Sequence, residues 1–195
     1  ATSRMADTGV DYIKIGFFAH PQAIACAQAL STIARRARLI AVIFADEPWK
    51  PLLPSPSGTR AHLKRSRGVG VREALKGRSV GPKEGGSAAF DQNLNLLLNV
   101  LATASFTGVM LDTARKSGKT LRDWRGASEL EQFVTYARKR QLLCGLAGSL
   151  RATDIPALLA YQPDYLGFRG ALCRNAERGQ ILDTHAFAEI RATLP

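Results

Sequence analysis

The sequence predicts an α/β fold on a parallel β-sheet, a partial TIM-type (β/α) barrel, and three observations carry that prediction. Short apolar runs alternate with segments of helical period along the chain. The apolar runs are continuous, as strands covered on both faces require. They end on a carboxylate, a glycine or an arginine, the polar rim expected where barrel strands meet their βα loops. Five such units are legible in 195 residues, whereas a complete barrel has eight units and usually about 250 residues.

Residues 12–18 form the first strand, and residues 21–36 follow as a helix with Ile24, Ala27, Gln28, Ser31 and Ala34 at helical spacing and arginines at its end. Residues 39–45 form a second strand ending at Asp46. Leu94, Leu97, Leu98 and Leu101 recur at i, i+3, i+4 and i+7, an amphipathic helix opening near Asp91, and residues 109–111 are the third strand. Ser128 and Glu131 form a capping-box pattern for a helix to about Arg140, and residues 142–147 are the fourth strand. Thr153, Asp154 and Pro156 open a short helix, residues 165–168 form the fifth strand, and residues 184–191 close the chain as a helix. An open doubly wound sheet would share this order, but no GxGxxG follows any strand and the strand ends are uniformly polar or glycine-rich, which favours the barrel.

The chain reads as a single partial-barrel domain over 1–195, interrupted at 49–90 by a basic insert. The insert carries nine Lys or Arg against two Glu, a net of +7 out of the chain's +11. With Pro48 just before it, Pro51, Pro54, Pro56 and Pro82 within it and no sustained period, it is expected to be a long loop or disordered, able to cover the strand ends it enters beside. After Trp49 it holds no aromatic until Phe90, which argues against nucleic-acid binding, although a phosphate-attracting arm stays open. No apolar run approaches the ~18 residues of a membrane span and no export pattern opens the chain, so a cytoplasmic protein is expected. Cys26, Cys144 and Cys173 have no metal-ligand spacing and read as buried free thiols.

Period two places Tyr12, Lys14 and Gly16 on one face of the first strand. An ammonium buried there would need a carboxylate partner, such as Asp112 or Asp46, or a lowered pKa that lets it form a Schiff base or move protons, with Gly16 leaving room for a ligand. Asp112 ends the third strand and Lys116 follows four residues later, a general acid or base beside a cation that can steady negative charge. Gly148, Ser149, Arg169 and Gly170 follow the last two strands, where barrels cradle phosphate with backbone N–H groups. A tight turn needing glycine is the other reading. Asp46 joins this substrate-binding set from the second strand's end.

DYIKIG at 11–16, GVMLDTARKSGKTLRD at 108–123, LAGSLRATDIPAL at 146–158 and PDYLGFRGALC at 163–173 together resemble the (5-formylfuran-3-yl)methyl phosphate synthases. The resemblance covers about residues 1–46 and 91–190. It implies a (β/α) barrel lyase that condenses two molecules of glyceraldehyde 3-phosphate into a furan aldehyde phosphate for methanofuran-type one-carbon carriers, with no metal or organic cofactor. Lys14 matches the lysine of the family's DYVKVG strand, and Asp112 and Lys116 match the Asp and Lys of its LDTAxKDGKT motif. Family members begin with three further strands, one bearing another lysine in an Asp-Val-Lys-type motif that nothing here matches, so the chain resembles the last five-eighths of the barrel. Such a piece leaves two open sheet edges, from which a homo-oligomer, and activity that depends on upstream strands, are expected. Another lysine-dependent sugar-phosphate aldolase or isomerase, and a non-catalytic basic binding protein, remain as alternative readings.

Overall fold

A computed structural model describes residues 1–47, 85–115 and 117–195, with backbone only for 85–91. The expected basic insert falls outside the described residues as far as Glu84, and Lys116 falls outside them too; the last six residues assigned to the insert belong to a helix.

Among the described residues, five parallel strands form one sheet in chain order: β1 (Ile13–Phe17), β2 (Leu39–Phe44), β3 (Gly108–Asp112), β4 (Leu143–Leu146) and β5 (Tyr165–Leu166). The fifth strand is two residues shorter than the sequence suggests. Around the sheet run α1 (Thr2–Ala6), α2 (Ala23–Ala29), α3 (Ser31–Ala34), α4 (Gly85–Thr103), α5 (Leu121–Trp124), α6 (Ala127–Lys139), α7 (Ile155–Leu159) and α8 (Thr184–Ala192). The single helix expected over 21–36 is two, because the ladder changes at Leu30, whose N–H is shared between the carbonyls of Cys26 and Ala27.

Strand order that never reverses has a consequence for the helices. Right-handed crossovers stepping in one direction put all connecting helices on one side of the sheet. Ile13, Phe17, Leu39, Ala41, Ile43, Val109, Leu111, Cys144 and Leu146 face that side and pack with Leu94, Leu97, Leu98 and Leu101 of α4 and Leu130, Phe133 and Val134 of α6. The heptad-like leucines read in the sequence are therefore all core. Each fully buried Leu, Ile or Phe contributes about 1.5–3 kcal/mol relative to exposure.

The other face holds a much smaller cluster, Ile40, Val42, Met110 and Ala147 with Phe44 and Tyr165 against it. β1 and β5 are the sheet's two edges, four spacings or about 19 Å apart were the sheet flat, yet the Lys14 Nζ lies 5.9 Å from the Tyr165 ring centroid. The side chains meet because the sheet curls toward this second face, making it concave. Tyr165 lies flat across Gly145, where a Cβ would sit 2.3 Å from the ring, so only glycine admits it.

The loops are pinned by carboxylates accepting backbone N–H groups. Ser128 and Glu131 do not cap α6. Its N-terminus is Gly126, whose N–H donates to Glu129 Oε2 at 2.9 Å, while Glu129 Oε1 meets Arg125 Nη1 at 3.1 Å. Glu129 lies one turn in from Gly126 and can satisfy both groups at once, which Glu131 cannot reach. A capping box that the sequence reading missed opens α5: the Thr120 N–H donates to Asp123 at 2.6 Å, and that bond, with the Thr120 hydroxyl, holds the Asp123 carboxyl below its usual range.

Candidate active site

Above the concave face, at the carboxyl ends of β3, β4 and β5, lies a cavity of about 590 Å³. Lys14 and Asp112 both line it, and so do Gly148, Ser149, Arg169 and Gly170. These residues, from four strands or their following loops and up to 156 positions apart in sequence (170 minus 14), thus meet at one place.

Lys14 does not occupy the buried position its sequence context suggests. The strand around it is apolar, but its own face is the concave one, and the side chain is exposed there. It makes no ion pair with Asp112 or Asp46; its ammonium lies 3.9 Å from Met110 Sδ and over the Tyr165 ring. These are polarizable, uncharged neighbours, and among the described residues no carboxylate locks the amine in a salt bridge. Gly16 leaves no vacant space for a ligand, since a Cβ there would lie 3.2 Å from the Phe44 ring, which stacks with Phe18 at 4.7 Å.

Asp112 is half-buried at the end of β3, and its Oδ1 accepts the Thr113 N–H at 2.7 Å. Asp46 is not in the cavity lining. It is buried, and its two oxygens accept the N–H groups of Ala114 and Arg115, each at 2.7 Å. Its carboxylate organises the loop that leaves Asp112. Arg125 continues the brace by donating from Nε to the Ala45 carbonyl at 2.9 Å.

Gly148 takes φ +115°, and a Cβ there would lie 2.9 Å from Thr113, so glycine lets the β4 loop press against the end of β3. Ser149 follows at φ 51°, a left-handed conformation uncommon for serine. The Gly148 carbonyl accepts the Leu121 N–H at 2.8 Å, tying the loops after β3 and β4 together.

Sequence reasoning missed Met110, Tyr165, Arg151 and Arg178. Met110, Arg151 and Arg178 line the cavity, and Tyr165 lies beneath Lys14. The period-two face that carries Lys14 would have pointed to Met110 and Tyr165 once strand registers were known. The Tyr165 hydroxyl is buried with no hydrogen-bond partner among the described residues, and burial pushes its pKa up to about 12. Of the cysteines, Cys144 is buried, and burial raises its thiol pKa; Cys26 is exposed and Cys173 half-buried, so the expectation of three buried thiols holds for one. Among the described residues, no three His, Cys, Asp or Glu side chains group to hold a metal ion, and no helix is long and apolar enough to cross a membrane.

The sequence model of a family described as 4-HFC-P synthase matches residues 1–62 and 87–191. A Methylorubrum extorquens protein provisionally named a (5-formylfuran-3-yl)methyl phosphate synthase is 53% identical over 83 residues, 43% of this chain and 35% of that protein. The (5-formylfuran-3-yl)methyl phosphate synthases of Methanocaldococcus jannaschii and Methanosarcina acetivorans are 45% and 37% identical, over 35% and 44% of this chain and 29% and 37% of their own lengths. The matched stretch therefore spans about a third of the length of these relatives. Among solved structures, a phosphoribosyl anthranilate isomerase from Thermus thermophilus superposes with a TM-score of 0.37 at 11% identity, covering 98% of this chain and 91% of that one, a likeness too low to carry an argument.

Proposed function

Because the chain belongs to the 4-HFC-P synthase family, we propose that its cavity takes triose phosphate and belongs to an enzyme that condenses two molecules of glyceraldehyde 3-phosphate into (5-formylfuran-3-yl)methyl phosphate. The reaction balances with loss of one phosphoric acid and two waters, a carbon–oxygen lyase step joined to an aldol-type carbon–carbon bond. One observation carries the assignment to this cavity: Lys14 from β1 and Asp112 from β3 line it together, with the glycine and arginine loops after β4 and β5 as its other wall.

In this reading Asp112 takes the proton from the carbon beside one carbonyl, and the enolate carbon attacks the aldehyde of the second molecule. Lys14 donates a proton to the alkoxide that forms, or condenses with the carbonyl to an iminium that makes the same proton easier to remove. Lys116, four residues beyond Asp112, is assigned to developing negative charge or a phosphate. Gly148, Ser149, Arg169 and Gly170 are assigned to phosphate, and Asp46 to holding the Asp112 loop. The curled sheet with its in-order strands supports a barrel wall, and the open edges of β1 and β5 support association with further strands or a second copy.

The test is to incubate the chain with glyceraldehyde 3-phosphate, alone and in a version extended upstream, and follow the furan aldehyde absorbance. Product lost in Asp112→Asn is expected; no product from either version sinks the reaction. Borohydride trapping with triose and pentose phosphates separates this reading from other lysine-dependent aldolases by which sugar is captured.

A further inference from the structure

The segment after β5 runs out and returns. Cys173 pairs with Leu182 in an antiparallel bridge, and the Arg174 and Asp183 N–H groups donate to the Ile181 and Leu172 carbonyls at 3.0 and 2.9 Å, closing the base of a compact loop. Its tip is tightened by two consecutive left-handed residues, Asn175 at φ 57° and Ala176 at φ 56°, a conformation that alanine rarely accepts. The result is that Ala176, Glu177 and Arg178 are brought back over the cavity, with the Ala176 carbonyl and the Arg178 Cγ within 3.2 and 3.4 Å of the Cβ position of Gly170.

The charges there do not cancel. The described lining has four cations, Lys14, Arg151, Arg169 and Arg178, against two acids, Asp112 and Glu177. Arg151 is tied to the Gly118 carbonyl at 3.3 Å, and Glu177 accepts from Gln180 Nε2 at 3.3 Å instead of pairing with its neighbour. Among the described residues, neither Arg169 nor Arg178 has a side-chain hydrogen bond or ion pair. Two arginines that line one cavity and have no side-chain partner among the described residues call for an anion with several acceptor oxygens, and the planar fork of arginine suits phosphate better than a single carboxylate oxygen.

We propose that Arg178, carried over the cavity by the closed loop 173–182, is a phosphate-binding residue that grips a phosphoryl group of the substrate together with Arg169. This rests on the triose phosphate reading above and assigns to the cavity a second arginine, so that one molecule's phosphate is held from both ends of the post-β5 segment.

The test uses the full chain and glycerol 3-phosphate, which keeps the phosphoryl group but has no carbonyl to react, with glycerol as the phosphate-free control, measured by calorimetry. Arg178→Ala should weaken glycerol 3-phosphate binding about 10- to 100-fold, the range for losing a charge-assisted contact. Arg178→Lys should fall between it and wild type, because a lysine keeps the charge but not the fork. Arg174→Ala, in the same loop but outside the cavity lining, should stay within about twofold. Circular dichroism and thermal unfolding check that each variant folds. The proposal is overturned if the wild-type chain does not bind glycerol 3-phosphate, if Arg178→Ala binds it like wild type, or if Arg174→Ala loses as much. Arg178-dependent binding in a chain that forms no furan aldehyde would sustain the arginine's role and sink the reaction, so the two failures are separable.

Discussion

The two faces of the sheet come from the same five strands, and they differ in nearly every property. The convex face is dry and dense: Ile43, Val109, Leu111, Cys144 and Leu146 are at most 1% exposed and lie under helices. The concave face alternates with it residue by residue and carries Lys14, Asp112 and Tyr165 around a few apolar groups, with Tyr12 and Phe18 left 44% and 55% exposed at its β1 edge. Period two thus divides each strand into positions that hold the fold and positions free to do chemistry. The difference teaches that an apolar strand context does not make every residue in it a core residue.

The sharpest way to break the comparison is a pair of truncations at adjacent positions of one strand. Leu111→Ala on the convex face should cost about 2–5 kcal/mol in urea unfolding, because the surrounding helices cannot close the void. Met110→Ala on the concave face should cost clearly less, since the cavity already adjoins it. Equal losses would mean the two faces are equally packed. Asp46→Ala should come next, at about 2–3 kcal/mol, by orphaning the N–H groups of Ala114 and Arg115 in a half-buried loop. Asp46→Asn, which keeps an acceptor, should recover part of the stability, and product formation should fall with loop order in both.

The elements of the convex face were legible from the sequence because burial under helices leaves a one-dimensional signature: continuous apolar strands, and leucines at helical spacing in α4. Lys14 was legible as a candidate because it interrupts that signature inside a strand, and Asp112, Gly148 and Arg169 because they interrupt it at or just after strand ends. What could not be read was anything set by the curl of the sheet. Neighbours across the concave face, such as Lys14 with Met110 and Tyr165, are separated by 96 and 151 residues (110 minus 14, 165 minus 14), and no local pattern encodes which registers meet. The capping box was misplaced by two residues for a related reason, since a pattern of residue types cannot show that Glu129 also has Arg125 to pair with. Arg178 was invisible because its loop looks like any polar connection until the Cys173–Leu182 bridge turns it back.

Two smaller effects refine the picture on the concave side. Tyr165→Phe removes a buried hydroxyl that has no partner, so stability at neutral pH should hold or rise by up to about 1 kcal/mol. The sign of its pH dependence follows from the pKa, which lies near 10 in the unfolded chain and about 12 in the fold. The folded state disfavours ionisation, so the tyrosine's contribution is intact below pH 10 and is lost as pH climbs toward 12. The urea midpoint of the wild type should fall more steeply across that interval than that of Tyr165→Phe, and parallel curves would mean the hydroxyl is solvated.

The smallest expected change in stability belongs to the residue to which the proposed reaction assigns most of its chemistry. Lys14 is exposed and, among the described residues, paired with no carboxylate, so Lys14→Met should leave the unfolding free energy within about 0.5 kcal/mol of wild type, the methionine stem still packing on Met110 and Tyr165. Product formation and borohydride-trapped adduct at position 14 should both disappear. A loss of several kcal/mol would instead show an ammonium holding the fold together, and the concave face would then be core that merely contains a charge. Unchanged stability with chemistry abolished is the outcome that a face left open for substrate requires.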